Sequence, residues 1–289
     1  MGDLAAEVRK WLSDEGYPTE FRTANVFREA GFHVRQGLHA RDQHGEAPRE
    51  IDALADLTLH TGEHYLRVCH IVECKFSKSK PWVIFSDPGF SIAPSACIAQ
   101  TIGSHLGGCL LWIDAGKRPL HRLDIFQVPK RAGFGGRQAF AKGNDSFYAA
   151  ISAATQLSVS YMKRYDHEER QKGILPRAAV IAFPLIVVDA PLFEAYFSNE
   201  KDDVVLEQIP HIRCHWRGSA AWPLHATVEV VALSHLKPLV EARLVDSKLL
   251  LSEMEATCFA AGTLDALQIS SGSRGVVGLH QLLSELSSK

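Results

Sequence analysis

The stretch Arg49–Lys75, REIDALADLTLHTGEHYLRVCHIVECK, places two carboxylates and a lysine where they could do chemistry. Asp52 stands near the start of one strand-like run, and a second run ends in Glu73-Cys74-Lys75. Side chains two apart on a strand share a face, so Glu73 and Lys75 project together while Cys74 points away. The preceding residues, Val68-Cys69-His70-Ile71-Val72, are nearly all apolar, as in a central strand covered on both sides. Charges at the end of such a strand are costly to bury unless they are paired or open onto a cleft. Carboxylates are hard ligands for a divalent cation, and two held close together repel until one is protonated or a cation joins them.

The flanking sequence supplies the elements that must position these residues. Leu4, Val8, Trp11 and Leu12 give Asp3–Leu12 a helical period. Thr19 reads as the N-cap of a second helix with Phe21, Ala24, Val26, Phe27 and Ala30 on its apolar face and Gly31 at its end. Phe32–His39 reads as a strand, Arg41–Pro48 as a polar hairpin, Glu50–Leu59 as a strand, and the next strand starts near Tyr65. Further on, Trp82–Phe85 is a short apolar run, Ile98–Ile113 reads as a helix followed by a strand, and Arg122–Val128 as another strand. The glycine-rich PKRAGFGGRQAFAKGND, Pro129–Asp145, reads as a mobile surface loop. Ser146–Gly173 is a long helix feeding the β-branched strand Ala178–Val188, which suits a crossover onto a growing sheet. Val204–Ile209, Ile212–Trp216 and Thr227–Leu233 are strand candidates; a helix starts near Leu236, and Leu279–Leu286 reads as a short one.

Composition bounds the function classes. The chain has 289 residues, 46% hydrophobic and 22% charged, with a net charge of -2, so it can bury a large core and any basic surface must be local. Six cysteines are scattered without a CxxC pair, as in reduced core positions. The N-terminal sequence carries early acids and no apolar core segment, and no apolar run reaches the roughly 18 residues of a membrane span. The expectation is a cytoplasmic protein with no membrane partner.

A helix bearing Glu20, a strand with Glu50-Ile51-Asp52 and a strand ending Glu73-Cys74-Lys75 together resemble the PD-(D/E)xK restriction-endonuclease-like nuclease superfamily. The resemblance implies an α/β fold whose core is a mixed central sheet flanked by helices. That core would occupy residues 1–190, with an insertion at about 76–144, followed by a C-terminal elaboration over 191–289. It implies a Mg²⁺- or Mn²⁺-dependent endonuclease hydrolysing DNA, with a role in microbial defence or DNA processing. Glu20, Asp52, Glu73 and Lys75 would be catalytic. Asp52, Glu73 and the Cys74 backbone carbonyl would hold the metal, and Lys75 would orient or deprotonate the attacking water or stabilise developing charge. Glu29 competes with Glu20 for the helical position.

Lys78, Lys80, Lys130, Arg131 and Arg137 are candidate phosphate contacts. His211, Cys214 and His215 have ligand chemistry but no partner cluster at zinc spacing, and Trp82 reads as core. The competing expectations are a non-catalytic module of the same fold that binds nucleic acid or a protein, and a hydrolase of RNA or nucleotides. A homodimer or a protein partner is also compatible with the sequence.

Overall fold

The computed structural model describes residues 2–40, 49–61, 64–77, 79–89, 93–127, 131–142, 146–171, 178–217 and 225–260. The hairpin expected at Arg41–Pro48, the helix at Leu279–Leu286, and Lys78 and Lys130 lie outside the described residues.

Two helices, α1 (Gly2–Glu15) and α2 (Tyr17–Ala30), open the chain. They are joined by Gly16, which has a φ of 88° and caps α2 in place of Thr19. Thr19 is buried instead, and its hydroxyl donates to Asp189 Oδ2 at 2.9 Å. Strands β1 (His33–Arg35), β2 (Leu38–Ala40), β3 (Arg49–Ile51), β4 (Ala53–Thr61) and β5 (His64–Phe76) follow. The expected strands at 32–39 and 50–59 are thus each broken, the first around Gly37 at φ 66° and the second at Asp52.

The next region holds β6 (Trp82–Asp87), α3 (Pro94–Ala99), β7 (Ile102–Gly103), α4 (His105–Asp114) and β8 (Ala132–Gln138). Then come α5 (Ser146–Gln171), β9 (Ala178–Asp189), β10 (Leu192–Ser198), β11 (Asp203–Gln208), β12 (His211–Arg217), β13 (His225–Ala232) and α6 (Leu236–Ala260).

Three sequence expectations are corrected here. The apolar run Gly107–Ile113 is helix, because Ser104 caps it by accepting from the Gly107 amide at 3.2 Å. At Gly107 a Cβ would lie 2.4 Å from the Val180 carbonyl oxygen, so glycine lets α4 lie directly on the backbone of β9. Arg122–Val128 holds tight helical turns over Leu120–Arg122 and Asp124–Phe126 instead of a strand. The glycine-rich stretch expected as a loop contains β8: at Gly133 a Cβ would meet Cys214 Sγ at 2.7 Å and Ile84 Cγ2 at 2.8 Å. Glycine there marks close packing, not freedom.

Ten strands run in the order β1-β4-β5-β9-β13-β12-β8-β6-β10-β11, and β7 also pairs with β9. The sheet is mixed. β1, β4 and β5 are successively antiparallel, while β9 lies parallel to β5 from Tyr65–Ala178 to Phe76–Asp189. The connection between those two parallel strands runs through β6, α3, β7, α4 and β8, and α5 delivers the chain to β9. Its Leu157, Tyr161 and Met162 pack with Leu54, Cys69 and Ile71 on one face of the sheet. Phe27 of α2 and Leu236, Leu239 and Val240 of α6 pack with Ala53, Ala55, Val72 and Val187 on the other. Strands from before and after Ala190 therefore alternate in one sheet, since β12 and β13 sit between β9 and β8. No helix among the described residues is long and apolar enough to cross a membrane.

A buried ion network ties α6 to this sheet. Arg243 donates to both Glu229 oxygens at 2.7 and 2.8 Å, and also reaches Asp124 and Asp246 at 2.8 Å each. Arg213 joins Glu229 at 3.3 Å and Asp124 at 3.2 Å. Burial alone would raise the Glu229 carboxyl, but Arg243 and Arg213 outweigh it and hold the group well below the usual carboxylate range. Removing one member of such a network strands the others without water. Glu229→Ala is expected to cost about 3–5 kcal/mol in urea unfolding, and a loss under about 1 kcal/mol would show that the network contributes little.

Candidate active site at the end of the central strand

The antiparallel pairing of β4 with β5 stops at Ala53–Val72, while β5 continues beside β9 to Phe76. The last residues of β5 thus have an open edge on the β4 side. Asp52 fills it. The Cys74 amide, which would otherwise look for a strand partner there, donates to Asp52 Oδ2 at 2.7 Å. In an extended strand the N–H and C=O of one residue leave on the same side, so the Cys74 carbonyl also faces the gap.

Glu73 is buried at 8% exposure, and Lys75, two residues on, places its ammonium 2.6 Å from Glu73 Oε1. Both project from the face opposite α2, as the alternation expected. Glu20 arrives from the other side on the first turn of α2. That helix start is pinned to β5, since a Cβ at Gly16 would lie 2.6 Å from Phe76 Cβ. Glu73 and Lys75 both nonetheless act on the Glu20 carboxyl.

Glu73, Glu20 and Lys75 are all close enough to act on the proton affinity of Asp52. Burial, then Glu73, then Glu20 push the Asp52 carboxyl from 3.8 up to about 7, against the Cys74 amide and Lys75, which favour the charged form. Glu20 is raised by burial and by Glu50 and Glu73, with Lys75 opposing. Burial would lower Lys75, but Glu73 and Asp52 outweigh it and hold the ammonium charged. Three acids therefore face one lysine, and Glu50 adds a fourth. The sequence had placed Glu50 only as a neighbour of Asp52; no periodicity could show that it acts on Glu20.

Among the described residues, no group of three or more His, Cys, Asp or Glu side chains is arranged to hold a metal ion. A Mg²⁺ site commonly uses only one or two carboxylates, the other ligands being water and substrate phosphate. The oxygen donors of Asp52 and Glu73 match that requirement in number and in type.

The remaining candidates separate from this cluster. Glu29 is exposed toward the far end of α2 and accepts from Asn25 at 2.7 Å. The Lys80 amide donates to Ser77 Oγ just beyond β5. Arg131 directly precedes β8 and Arg137 lies within it, four strands from β5, which at strand spacing is about 19 Å. The Arg131 guanidinium is occupied by Glu194 at 2.8 Å and Glu207 at 3.2 Å, and stacks on Tyr196 at 3.8 Å. His211 stacks on His235 with centroids 5.7 Å apart, and Cys214 is buried. Trp82 is core, edge-on to Phe147 at 5.9 Å.

The raised Asp52 carboxyl makes a stability prediction. The native state holds a proton that the unfolded chain releases near 3.8, so stability falls as pH rises from about 4 to about 7 and stays reduced above that. Asp52→Asn keeps an oxygen for the Cys74 amide and removes the charge. It is expected to raise Tm most at pH 8, by less at pH 5 and hardly at all near pH 4, read by thermal unfolding; equal shifts at pH 8 and pH 4 would contradict this. No family model, curated protein or solved structure matches this chain.

Proposed function

We propose that this chain is a divalent-metal-dependent phosphodiester hydrolase acting on DNA, of the restriction-endonuclease-like type. The observation that carries the reading is the meeting of Glu20, Asp52, Glu73 and Lys75 past the end of β4. The order α2, β1, β4 and β5, followed after the β6–β8 segment by α5 and the parallel strand β9, supports it, because the resemblance implies that order with an insertion at about 76–144.

A divalent cation held by Asp52 and Glu73, with the Cys74 carbonyl beside them, would supply a Lewis acid at the scissile phosphate. The chain's own groups do the rest. Lys75, charged and 2.6 Å from Glu73, offers an ammonium to the developing negative charge and orients the attacking water. As a held cation it suits that role better than the role of base. Glu20 accepts a hydrogen bond from water on the α2 side of the gap, and the buried setting strengthens each of these interactions.

The test is nicking of supercoiled plasmid with Mg²⁺ or Mn²⁺. Asp52→Ala and Lys75→Ala are each expected to lower the rate at least about 10²-fold while far-UV circular dichroism is unchanged. Cleavage by a clean Asp52→Ala preparation would refute the assignment. A wild-type protein that neither nicks nor binds Mn²⁺ would instead be a non-catalytic module.

A further inference from the structure

The far end of the sheet, β8-β6-β10-β11, has one face in the core and one apolar face in the open. Trp82, Ile84 and Leu192 pack with Ile186 and Val188 of β9 under Phe147 and Ile151 of α5. The exposed face is therefore the one that carries α2 and α6 over Leu185 and Val187 of β9. There Phe85, Phe134, Phe197, Val204 and Leu206 are 37%, 60%, 50%, 63% and 58% exposed. They are contiguous. Leu206 stands opposite Ala195 and Ala195 beside Phe85, Val204 stands opposite Phe197, and the Phe85 and Phe134 rings lie 6.4 Å apart. The polar side chains go the other way: Glu194 and Glu207, both bound by Arg131, alternate onto the α5 side. A sheet with one open face normally turns its apolar residues inward, so this face calls for a cover.

We infer that this face is the docking site of the chain's own C-terminal segment Leu279–Leu286, bound as an amphipathic helix. Leu279, Leu282, Leu283 and Leu286 recur at i, i+3, i+4 and i+7, with His280, Gln281, Ser284 and Glu285 between them. Isolated helices shorter than about 12–15 residues are marginal in water, so this stripe needs an apolar surface to fold on. From β8 to β11 is about 14 Å at strand spacing, which seats one helix about 10–12 Å across. Helices already cover the same face over β4, β5 and β9, so a further one completes the layer. The connection reaches. α6 ends at Ala260, with Met254 and Cys258 in one core cluster with Ala179 and Ile181 of β9. β6 is four strands from β9, about 19 Å. A chain as long as residues 261–278 averages about 23 Å as a coil and about 60 Å when extended. Such a tether sets an effective concentration of about millimolar, which favours the chain's own segment over a second copy in dilute solution. The inference does not rest on the hydrolase reading.

The test is hydrogen exchange of the full-length protein, read by peptide mass spectrometry. Amides of Leu279–Leu286 are expected to exchange at least about tenfold more slowly than in an unstructured peptide, in a protein that light scattering shows to be monomeric. Phe197→Asp and Leu206→Asp should each remove that protection, because one buried Phe or Leu contact is worth about a decade in such an equilibrium. Trp11→Asp, on the exposed stripe of α1, should leave it intact. Leu283→Asp keeps every residue of the sheet, and should uncover the face and increase binding of an anilinonaphthalene sulfonate dye. Unprotected amides in the wild-type protein, protection that survives the β10 and β11 variants or is lost in Trp11→Asp, unchanged dye binding in Leu283→Asp, or protection found only in a dimer would each overturn the inference.

Discussion

Repulsion among carboxylates at the end of a buried strand is the constraint around which this molecule is arranged. At an effective dielectric of about 20, two unit charges some 4–6 Å apart oppose each other by about 3–4 kcal/mol. That is a large part of the roughly 5–15 kcal/mol that holds a domain folded. The Cys74 amide and Lys75 offset it in part. The surrounding chain fixes the arrangement nonetheless. β4 begins only at Ala53, opposite Val72, Asp52 takes the place of a strand partner, Gly16 lets α2 touch Phe76, and Thr19 anchors that turn to Asp189 on β9. A cluster of unmatched charges held by this much support is consistent with the proposed site, because stability alone would favour removing the charges.

The contrast with the Glu229 network sharpens this. There, Glu229, Asp124 and Asp246 are matched by Arg213 and Arg243 through paired hydrogen bonds, and Glu229 is stabilised in its charged form. It behaves as an internal strut between α6 and the sheet. His70 lies on the same strand as Glu73 but faces α2 and α6, among Phe27, Phe32 and Phe183, with its Nε2 3.2 Å from Ser247 Oγ. Burial, reinforced by Arg243, lowers its pKa to about 3, so it stays neutral. One strand thus presents a satisfied face to α6 and an unsatisfied end to the gap.

The sequence made some of this legible and not the rest. The apolar run Val68–Val72 identified β5 as a central strand, and alternation put Glu73 and Lys75 on one face, because both signals are local. The helix carrying Glu20 was legible for the same reason. The break at Asp52 was not. Ile51, Ala53, Leu54 and Ala55 continue an apolar pattern through it, and only the missing partner opposite Cys74 gives the break its meaning. β8 was misread because glycine signals a turn locally and close packing globally, and Gly133 needs the packing against Cys214 and Ile84. The run in α4 was misread because an apolar stretch that lies on both a sheet and a helix has no polar face to set its period.

On the proposed reading, charge also decides how a substrate would be admitted. A phosphate chain approaching Glu20, Glu50, Asp52 and Glu73 meets like charge, and a protein with a net charge of -2 has no general field to draw it in. Attraction would therefore have to be local, and a divalent cation held by Asp52 and Glu73 would supply it. The acidic cluster would in turn gain selectivity from its own repulsion, because it would accept a phosphate only together with a cation that neutralises both.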